Sequence, residues 1–362
     1  MPEMGRRLGA VVFGAVLAGV WAPVSDAEPM VRVLGEQVIE HDLDFQGTVV
    51  GGLSGIDYRS GSGDFVLISD DRSEKSPARV YTARIPVGDT GVGAVEFTGT
   101  VPLRRADGSM YPPKSVDPED IRVDPLTGDY FWTQEGERAG VLADPSVRVA
   151  RSDGSFVSEL PIPENERMLP DSGPRQNQAL EGATSAAGGA LFVTALEGPL
   201  LGDGPEATPT SGATTRITVQ ARFGPLLAQY PYPLEPVFAD SRPEPGRASN
   251  GVTAILAVDP VDPTRFLVLE RAFAEGAGNR VRIFEIDTAG ATNILDAPVA
   301  GARPVTKRLV ADLTDLGVAA VDNIEAMTWG PRLSSGERTL VLVADNNFSA
   351  RQRSQVIVLA VR

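Results

Sequence analysis

Leu180-Glu-Gly-Ala-Thr-Ser-Ala-Ala-Gly-Gly-Ala-Leu-Phe-Val-Thr-Ala-Leu-Glu197 holds the plan of the whole chain. An acidic or small polar entrance leads into an apolar strand, a glycine turn, a second β-rich strand and a closing carboxylate. The plan recurs from Leu53-Ser-Gly-Ile-Asp-Tyr58 to Ser69-Asp-Asp-Arg72, and from Asp117-Pro-Glu-Asp-Ile-Arg-Val123 to Thr133-Gln-Glu135. It recurs again from Asn250-Gly-Val-Thr-Ala-Ile-Leu256 to Leu269-Glu-Arg271, and from Asn323-Ile-Glu-Ala-Met-Thr-Trp329 to Ala344-Asp-Asn-Asn-Phe348. Strand-built copies at a period of roughly 60 to 75 residues predict a radial β architecture. The expected fold is an all-β, single-domain β-propeller. Six blades are favoured and five or seven allowed, with Ile217 to Pro236 or shared terminal strands as the source of a sixth.

Turn chemistry agrees with this reading. Asp124-Pro-Leu-Thr-Gly-Asp129 and Asp259-Pro-Val-Asp-Pro263 join β-rich runs such as Tyr130-Phe-Trp-Thr133 and Arg265-Phe-Leu-Val-Leu269. Proline fixes φ and glycine frees it where strands reverse. The terminal run Gln355-Val-Ile-Val-Leu-Ala360 is expected to pair with a strand near Val31 to Ile39 and close the ring, so that its edges are covered.

At the N-terminus, Arg6 and Arg7 precede the apolar run Leu8 to Trp21 and the small-residue stretch Ser25-Asp-Ala27. This pattern predicts a signal peptide over residues 1–27, with cleavage near Ala27. The mature domain would occupy residues 28–362, in the periplasm or the medium. The apolar run is shorter than the ~20 residues a membrane span needs.

The 362 residues carry a formal charge of −15, one histidine and no cysteine. Such an acid excess disfavours nucleic acid and anionic membranes as partners and suits divalent cations. Zinc or copper sites built from histidine and cysteine clusters are effectively excluded. A Ser-His-Asp triad would have to use His41.

Two sets of oxygen donors stand out. Glu119, Glu181 and Glu325 begin first strands, with Asn177 and Asn323 nearby; Asp70, Asp71, Glu135, Glu197, Glu270, Asp345, Asn346 and Asn347 follow second strands. In an antiparallel hairpin these two positions share one end, so both sets are expected at one mouth of a central channel. Converging carboxylates suit Ca²⁺, which takes six to eight oxygens. The alternative use of acids at strand ends is capping of turns. Expected metal ligands are Glu119, Glu181, Glu325, Asp71, Asp345 and Glu197, and Glu181, Glu325 and Asp71 are the catalytic candidates. Arg72, Arg79 and Arg271 are candidate substrate contacts, because the guanidinium fork matches phosphate or carboxylate.

These residues also carry a resemblance. Gly51-Gly-Leu-Ser-Gly-Ile-Asp-Tyr58, Ser69-Asp-Asp-Arg72, Asp117-Pro-Glu-Asp-Ile121, Leu180-Glu-Gly182, Ala195-Leu-Glu-Gly198, Val268-Leu-Glu-Arg271 and Asn323-Ile-Glu-Ala-Met-Thr-Trp-Gly-Pro-Arg332 resemble signatures of the phytase-like family called esterase-like activity of phytase. The resemblance implies a propeller-like fold and an exported hydrolase. By analogy, β-propeller phytases use several Ca²⁺ ions in an acidic channel, but their Asp-Asp-Pro-Ala-Ile-Trp type of motif is missing here. Ala254 stands where an acidic residue is expected and Ala326 where glycine is expected.

The leading functional expectation is a Ca²⁺-dependent hydrolase, most simply a monomer, of small phosphoester or carboxylic ester substrates. A lactonase-like propeller and a non-catalytic binding propeller are the alternatives.

Overall fold

The computed structural model describes residues 31–318 and 320–362. The expected leader, with its cleavage after Ala27, lies outside the described residues. No helix among the described residues is long and apolar enough to cross a membrane.

Five four-stranded antiparallel sheets make up the fold, which is a five-bladed β-propeller. Blade 1 comprises Leu53–Arg59, Asp64–Ser69, Arg79–Arg84 and Glu96–Pro102. Blade 2 comprises Pro118–Val123, Tyr130–Gln134, Ser146–Ala150 and Phe156–Leu160. Blade 3 runs through Leu180–Ala186, Leu191–Leu196, Ala213–Ala221 and Leu226–Leu234, and blade 4 through Ala248–Ala257, Arg265–Ala274, Gly278–Asp287 and Thr306–Asp312. Blade 5 takes Asn323–Trp329, Arg338–Asp345 and Ser354–Val361, and its fourth strand is the N-terminal Val31–Ile39.

That last pairing closes the ring as the terminal sequences suggested, with Val31 opposite Val361 and Ile39 opposite Ser354. Five blades fall within the expected range, and the favoured sixth does not form. Ile217 to Pro236 supplies the outer hairpin of blade 3 instead, pairing Ile217 with Tyr230 and Ala213 with Leu234.

The first strand of each blade lines the axis and touches the first strands of its neighbours. The second strands read as nearly continuous apolar runs because both of their faces are covered by adjacent blades. Phe65-Val-Leu-Ile68 and Leu340-Val-Leu-Val-Ala344 are fully buried. The core accordingly divides into five large clusters, one per blade interface, and a small sixth around Ala207, Val237 and Ala274; Val66, Ile68, Ile121 and Trp132, for example, join blades 1 and 2. Some axial contacts need glycine. A Cβ on Gly182 would come within 2.7 Å of the Ile255 amide nitrogen of the next blade.

Every axial strand carries a β-bulge, near its start in four blades and at mid-strand in blade 4. The register slips between Leu53 and Gly55, Pro118 and Ile121, Leu180 and Gly182, Val252 and Ala254, and Ile324 and Ala326. A bulge inserts one residue and re-aims its side chain. Repeated around the axis, it turns the strand entrances toward one mouth of the ring.

Candidate active site

The bulges explain why glutamates at these positions meet. The residues inserted are Ser54 in blade 1, Glu181 in blade 3, Thr253 in blade 4 and Glu325 in blade 5. Glu119 holds the equivalent place in blade 2, where Glu119 and Asp120 together face a single partner residue. A second ring lies at the same end of the second strands, each member opposite the residue two before the inserted one, namely Gly52, Asp117, Ala179, Gly251 and Asn323. It consists of Asp70, Glu135, Glu197, Arg271 and Asp345. The acidic position absent from blade 4 therefore falls on Thr253, whose hydroxyl donates to the Ile324 carbonyl at 3.2 Å. Ala254 matches Gly182 and Ala326.

Members of both rings border a cavity of about 1130 Å³ at one end of the axis, with Glu135 and Asp345 set behind its wall. Its wall includes Asp70, Asp117, Glu119, Glu181, Glu197 and Glu325, with Arg72 and Arg271 among them. Amides such as Gln176, Asn177, Asn323 and Asn347 add to the wall, as do Arg247 and Arg351 near its rim, and Phe273 is its single aromatic side chain. Asn177 and Asn347 are held at φ 56° and 46°. Asparagine tolerates this left-handed region better than most residues. Gly52, at φ +61°, leaves room for Asp70, whose carboxylate a Cβ there would strike.

Burial dominates the electrostatics. Desolvation pushes the carboxyls of Asp70, Glu119, Glu135, Glu181 and Asp345 well above the usual range, and the neighbouring carboxylates push them further. Burial raises Asp117 to about 7 against the pull of Arg72, and Glu197 to about 7 against the pull of Arg271. Glu325 is raised by burial and held back by Arg271 and Asn323.

The protein's own cations are spent unevenly. Arg271 lies 3.1 Å from Glu197 and 3.3 Å from Glu325 and also donates to Asn323. Arg72 pairs with Glu137 at 2.6 Å and lies 3.4 Å from Asp117, with its side chain 27% exposed. Among the described residues, the ion pairs of the channel stop there. Asp70, Glu119, Glu135, Glu181 and Asp345 pair with no lysine or arginine among the described residues.

Not all of the sequence candidates reach the cavity. The Asp71 carboxylate is consumed by the amides of Glu74, Lys75 and Ser76 and by Arg79 at 2.7 Å. Arg79 is buried with it, bonding the Val49 carbonyl and the Tyr81 hydroxyl. These two residues form the turn that supports Asp70, and Asp70 is the member of the acidic pair that lines the channel. Glu270 points outward to Tyr232, Asn250 and Lys307. Asp345 sits below the wall, caps the Asn347 amide at 2.9 Å and faces Asn323. His41 lies beside Asp42 at 3.4 Å and does not line the cavity.

The carboxylates present fit a hard cation. Oxygens of Asp117, Glu119 and Glu135 lie within 4.8 Å of one another, and so do oxygens of Glu135, Glu181 and Glu197. Glu135 belongs to both groups and fixes its position by accepting the Ala179 amide at 2.8 Å. Asp70 Oδ1 is buried without a hydrogen-bond partner. All-oxygen sets of this kind suit Ca²⁺ far better than a nitrogen- or sulfur-seeking metal.

Arg122 has a part that sequence reading missed. It lies on the axis, donating to the carbonyls of Ala183, Ile56 and Met327 and pairing with Asp120 at 2.8 Å. In sequence it sits in an ordinary alternating strand, and only ring closure gives it its partners.

A family model for phytase-like proteins, described as esterase-like activity of phytase, matches residues 48–348. No curated protein matches the sequence. Among solved structures, the periplasmic gluconolactonase PpgL of Pseudomonas aeruginosa is similar at 12% identity, with a TM-score of 0.35 over 87% of this chain and 89% of that one.

Proposed function

This chain belongs to the phytase-like family described as esterase-like activity of phytase, and on that premise we propose a Ca²⁺-dependent hydrolase of small polar esters working in the axial channel. The observation that carries the proposal is Glu135 shared between two three-carboxylate groups, in a channel where five carboxylates pair with no lysine or arginine among the described residues. So many buried acids in one place are costly unless they are protonated or matched by positive charge.

Glu119, Glu135 and Glu181 would hold the ion, with Asp117 and Glu197 at either side of them. A bound Ca²⁺ would supply Lewis-acid polarisation of the ester oxygen and draw the surrounding carboxyls back to their ionised forms. Glu181 lines the cavity and accepts the proton of the attacking water as the water oxygen bonds to the carbonyl carbon or phosphorus. The same proton then passes to the leaving oxygen, so the bond broken yields an acid and an alcohol. Glu325 is held by Arg271 and Asn323 and bounds the far wall. Arg72, partly exposed, and the exposed Arg247 and Arg351 of the same wall are the guanidiniums able to meet an anionic group of the substrate.

The polar wall suits hydroxylated or charged substrates and offers little to a fatty acyl chain. A cyclic carboxylic ester satisfies the same chemistry and is the second reading, because an uncharged ester escapes the repulsion that a phosphate dianion meets in this channel. The proposed setting is extracytoplasmic, supported by the Arg6 to Ala27 pattern, with a monomer as the working unit.

The test is a thermal melt of chelator-stripped protein titrated with Ca²⁺ and Mg²⁺, followed by phosphomonoester and lactone assays with calcium present. A saturable, Ca²⁺-selective rise of about 2.7 kcal/mol at a hundredfold excess over Kd supports a native-state site. A flat response, with no turnover of either ester class, leaves the binding-propeller alternative.

A further inference from the structure

In the second ring of the channel, four blades present a carboxylate, Asp70, Glu135, Glu197 and Asp345, and blade 4 presents Arg271. The substitution does more than remove one acid. The guanidinium is gripped by oxygens from both neighbouring blades: Glu197 Oε1 at 3.1 Å from blade 3, Glu325 Oε1 at 3.3 Å from blade 5, and the Asn323 side-chain carbonyl. Asn323 is itself fixed by donating to Glu325 at 2.9 Å and toward Asp345 at 3.4 Å. Convergent hard oxygens on one centre of positive charge are what a calcium ion would meet. Around Glu135, on the other side of the channel, Arg72 and Arg271 reach only the flanking Asp117 and Glu197, and among the described residues no arginine or lysine pairs with Glu135 itself.

We infer that Arg271 is a built-in counter-cation, standing where a further divalent ion would otherwise bind between blades 3, 4 and 5. It confines resident metal to the side of the channel formed by blades 2 and 3. The inference rests on the calcium reading of this channel and adds what limits the ion count. Arg271 acts here as a positioning residue: its terminal nitrogens are committed to Glu197, Glu325 and Asn323, although its side chain also borders the cavity. Its removal leaves Glu197, Glu325 and Asn323 with no positive partner, and calcium is the hard cation able to restore one.

The experiment is calorimetric titration of CaCl₂ into the wild-type protein, Arg271→Met and Arg271→Lys, with thermal melts of each in chelator and in excess calcium. Arg271→Met is expected to bind one more Ca²⁺ than wild type. It should melt well below wild type in chelator and recover most of that gap in calcium. Arg271→Lys keeps the charge and is expected to match the wild-type stoichiometry. Equal stoichiometry in Arg271→Met, with a gap that calcium leaves unchanged, overturns the inference while the wild-type calcium response still stands. Calcium uptake by Arg271→Met alone supports it and removes the resident-metal reading; uptake by neither protein removes both. If Arg271→Met is unfolded in chelator, folding on calcium addition supports the inference and failure to fold overturns it. The double variant Arg271→Met, Glu325→Gln should lose the additional ion, and its retention would also overturn the assignment.

Discussion

The Arg122 guanidinium lies 2.8 Å from the Asp120 carboxylate on the propeller axis, and through it one blade is tied to the others. Arg122 donates to Ala183 at 2.6 Å, Ile56 at 2.9 Å and Met327 at 3.1 Å, and reaches toward the Ile255 carbonyl at 3.5 Å. Asp120 in turn accepts the amides of Ala183 and Ile121, both at 2.7 Å. Removing one partner of a buried, hydrogen-bonded ion pair costs about 3–5 kcal/mol, because the other charge is stranded. Arg122→Met should therefore lower unfolding free energy by about that amount in a denaturant titration. Arg122→Lys should rescue only part of it, since an ammonium has three donors and no planar fork. A loss below about 1 kcal/mol for Arg122→Met would show that the blades do not depend on this pair.

The same residue marks where sequence reading stops. The repeat from Leu180 to Glu197 is legible because strand period, turn chemistry and closing acid all coincide in a short window, and the family signatures fall in the same places. Which of Asp70 and Asp71 faces the channel is not legible. Both follow the strand Asp64–Ser69, and Asp71 is turned away from the channel by the Glu74, Lys75 and Ser76 amides and Arg79, contacts that no spacing in the sequence announces. Arg79 and Asp71 read as chemistry for a similar reason: a buried ion pair under a turn uses the same residue types as a site. The blade count follows from whether Ile217 to Pro236 pairs with Leu191–Leu196 or stands alone, a long-range choice made by packing.

Glu135 gives the sharpest test of the metal groups because it belongs to both. In Glu135→Gln the amide oxygen can still accept the Ala179 amide, so the fold is kept and one anionic ligand is lost. Calcium affinity should fall at least tenfold, which corresponds to about 1.4 kcal/mol. In chelator the variant should melt no lower than wild type, because burial already disfavours the charged carboxylate it replaces. Melts with and without calcium read both effects. Unchanged calcium stabilisation in Glu135→Gln would exclude the shared-ligand role.

Away from the channel, Glu166 should make the protein less stable as pH rises. Its buried carboxyl accepts Thr218 at 2.7 Å and Gln229 at 2.8 Å, and faces Arg216 farther off. Burial lifts it from 4.5 to about 7, and the two hydrogen bonds offset only part of that. A carboxyl with a raised folded pKa holds its proton in the native state after the unfolded chain has lost it. Stability is therefore highest below about pH 4.5 for this group and declines until pH passes about 7, by roughly 3 kcal/mol in all. Glu166→Gln should flatten that part of the stability–pH curve and melt higher than wild type at pH 8. A curve of unchanged slope between pH 5 and 7 would contradict the assignment.

Calcium binding should be coupled to proton release, with a sign set by the same physics. Without an ion, burial and mutual repulsion favour protonated channel carboxyls, with Asp117 and Glu197 raised to about 7 and Glu119, Glu135 and Glu181 raised well above their usual range. A cation needs the ionised forms, so binding displaces those protons, and affinity rises with pH. Each proton displaced adds about tenfold in affinity per pH unit while pH lies below the relevant pKa. In chelator the raised carboxyls make stability fall as pH climbs through about 7, whereas saturating calcium should oppose that fall. Calorimetric titrations at about pH 6 and about pH 8, each in two buffers of different ionisation enthalpy, count the protons directly. Tighter binding at the higher pH, with a buffer-dependent heat of at least one proton, is the expected result. Equal affinity at both values and a buffer-independent heat would mean that calcium meets carboxylates already ionised, and the repulsive, cation-poor channel described by Glu119, Glu135 and Glu181 would have to be abandoned.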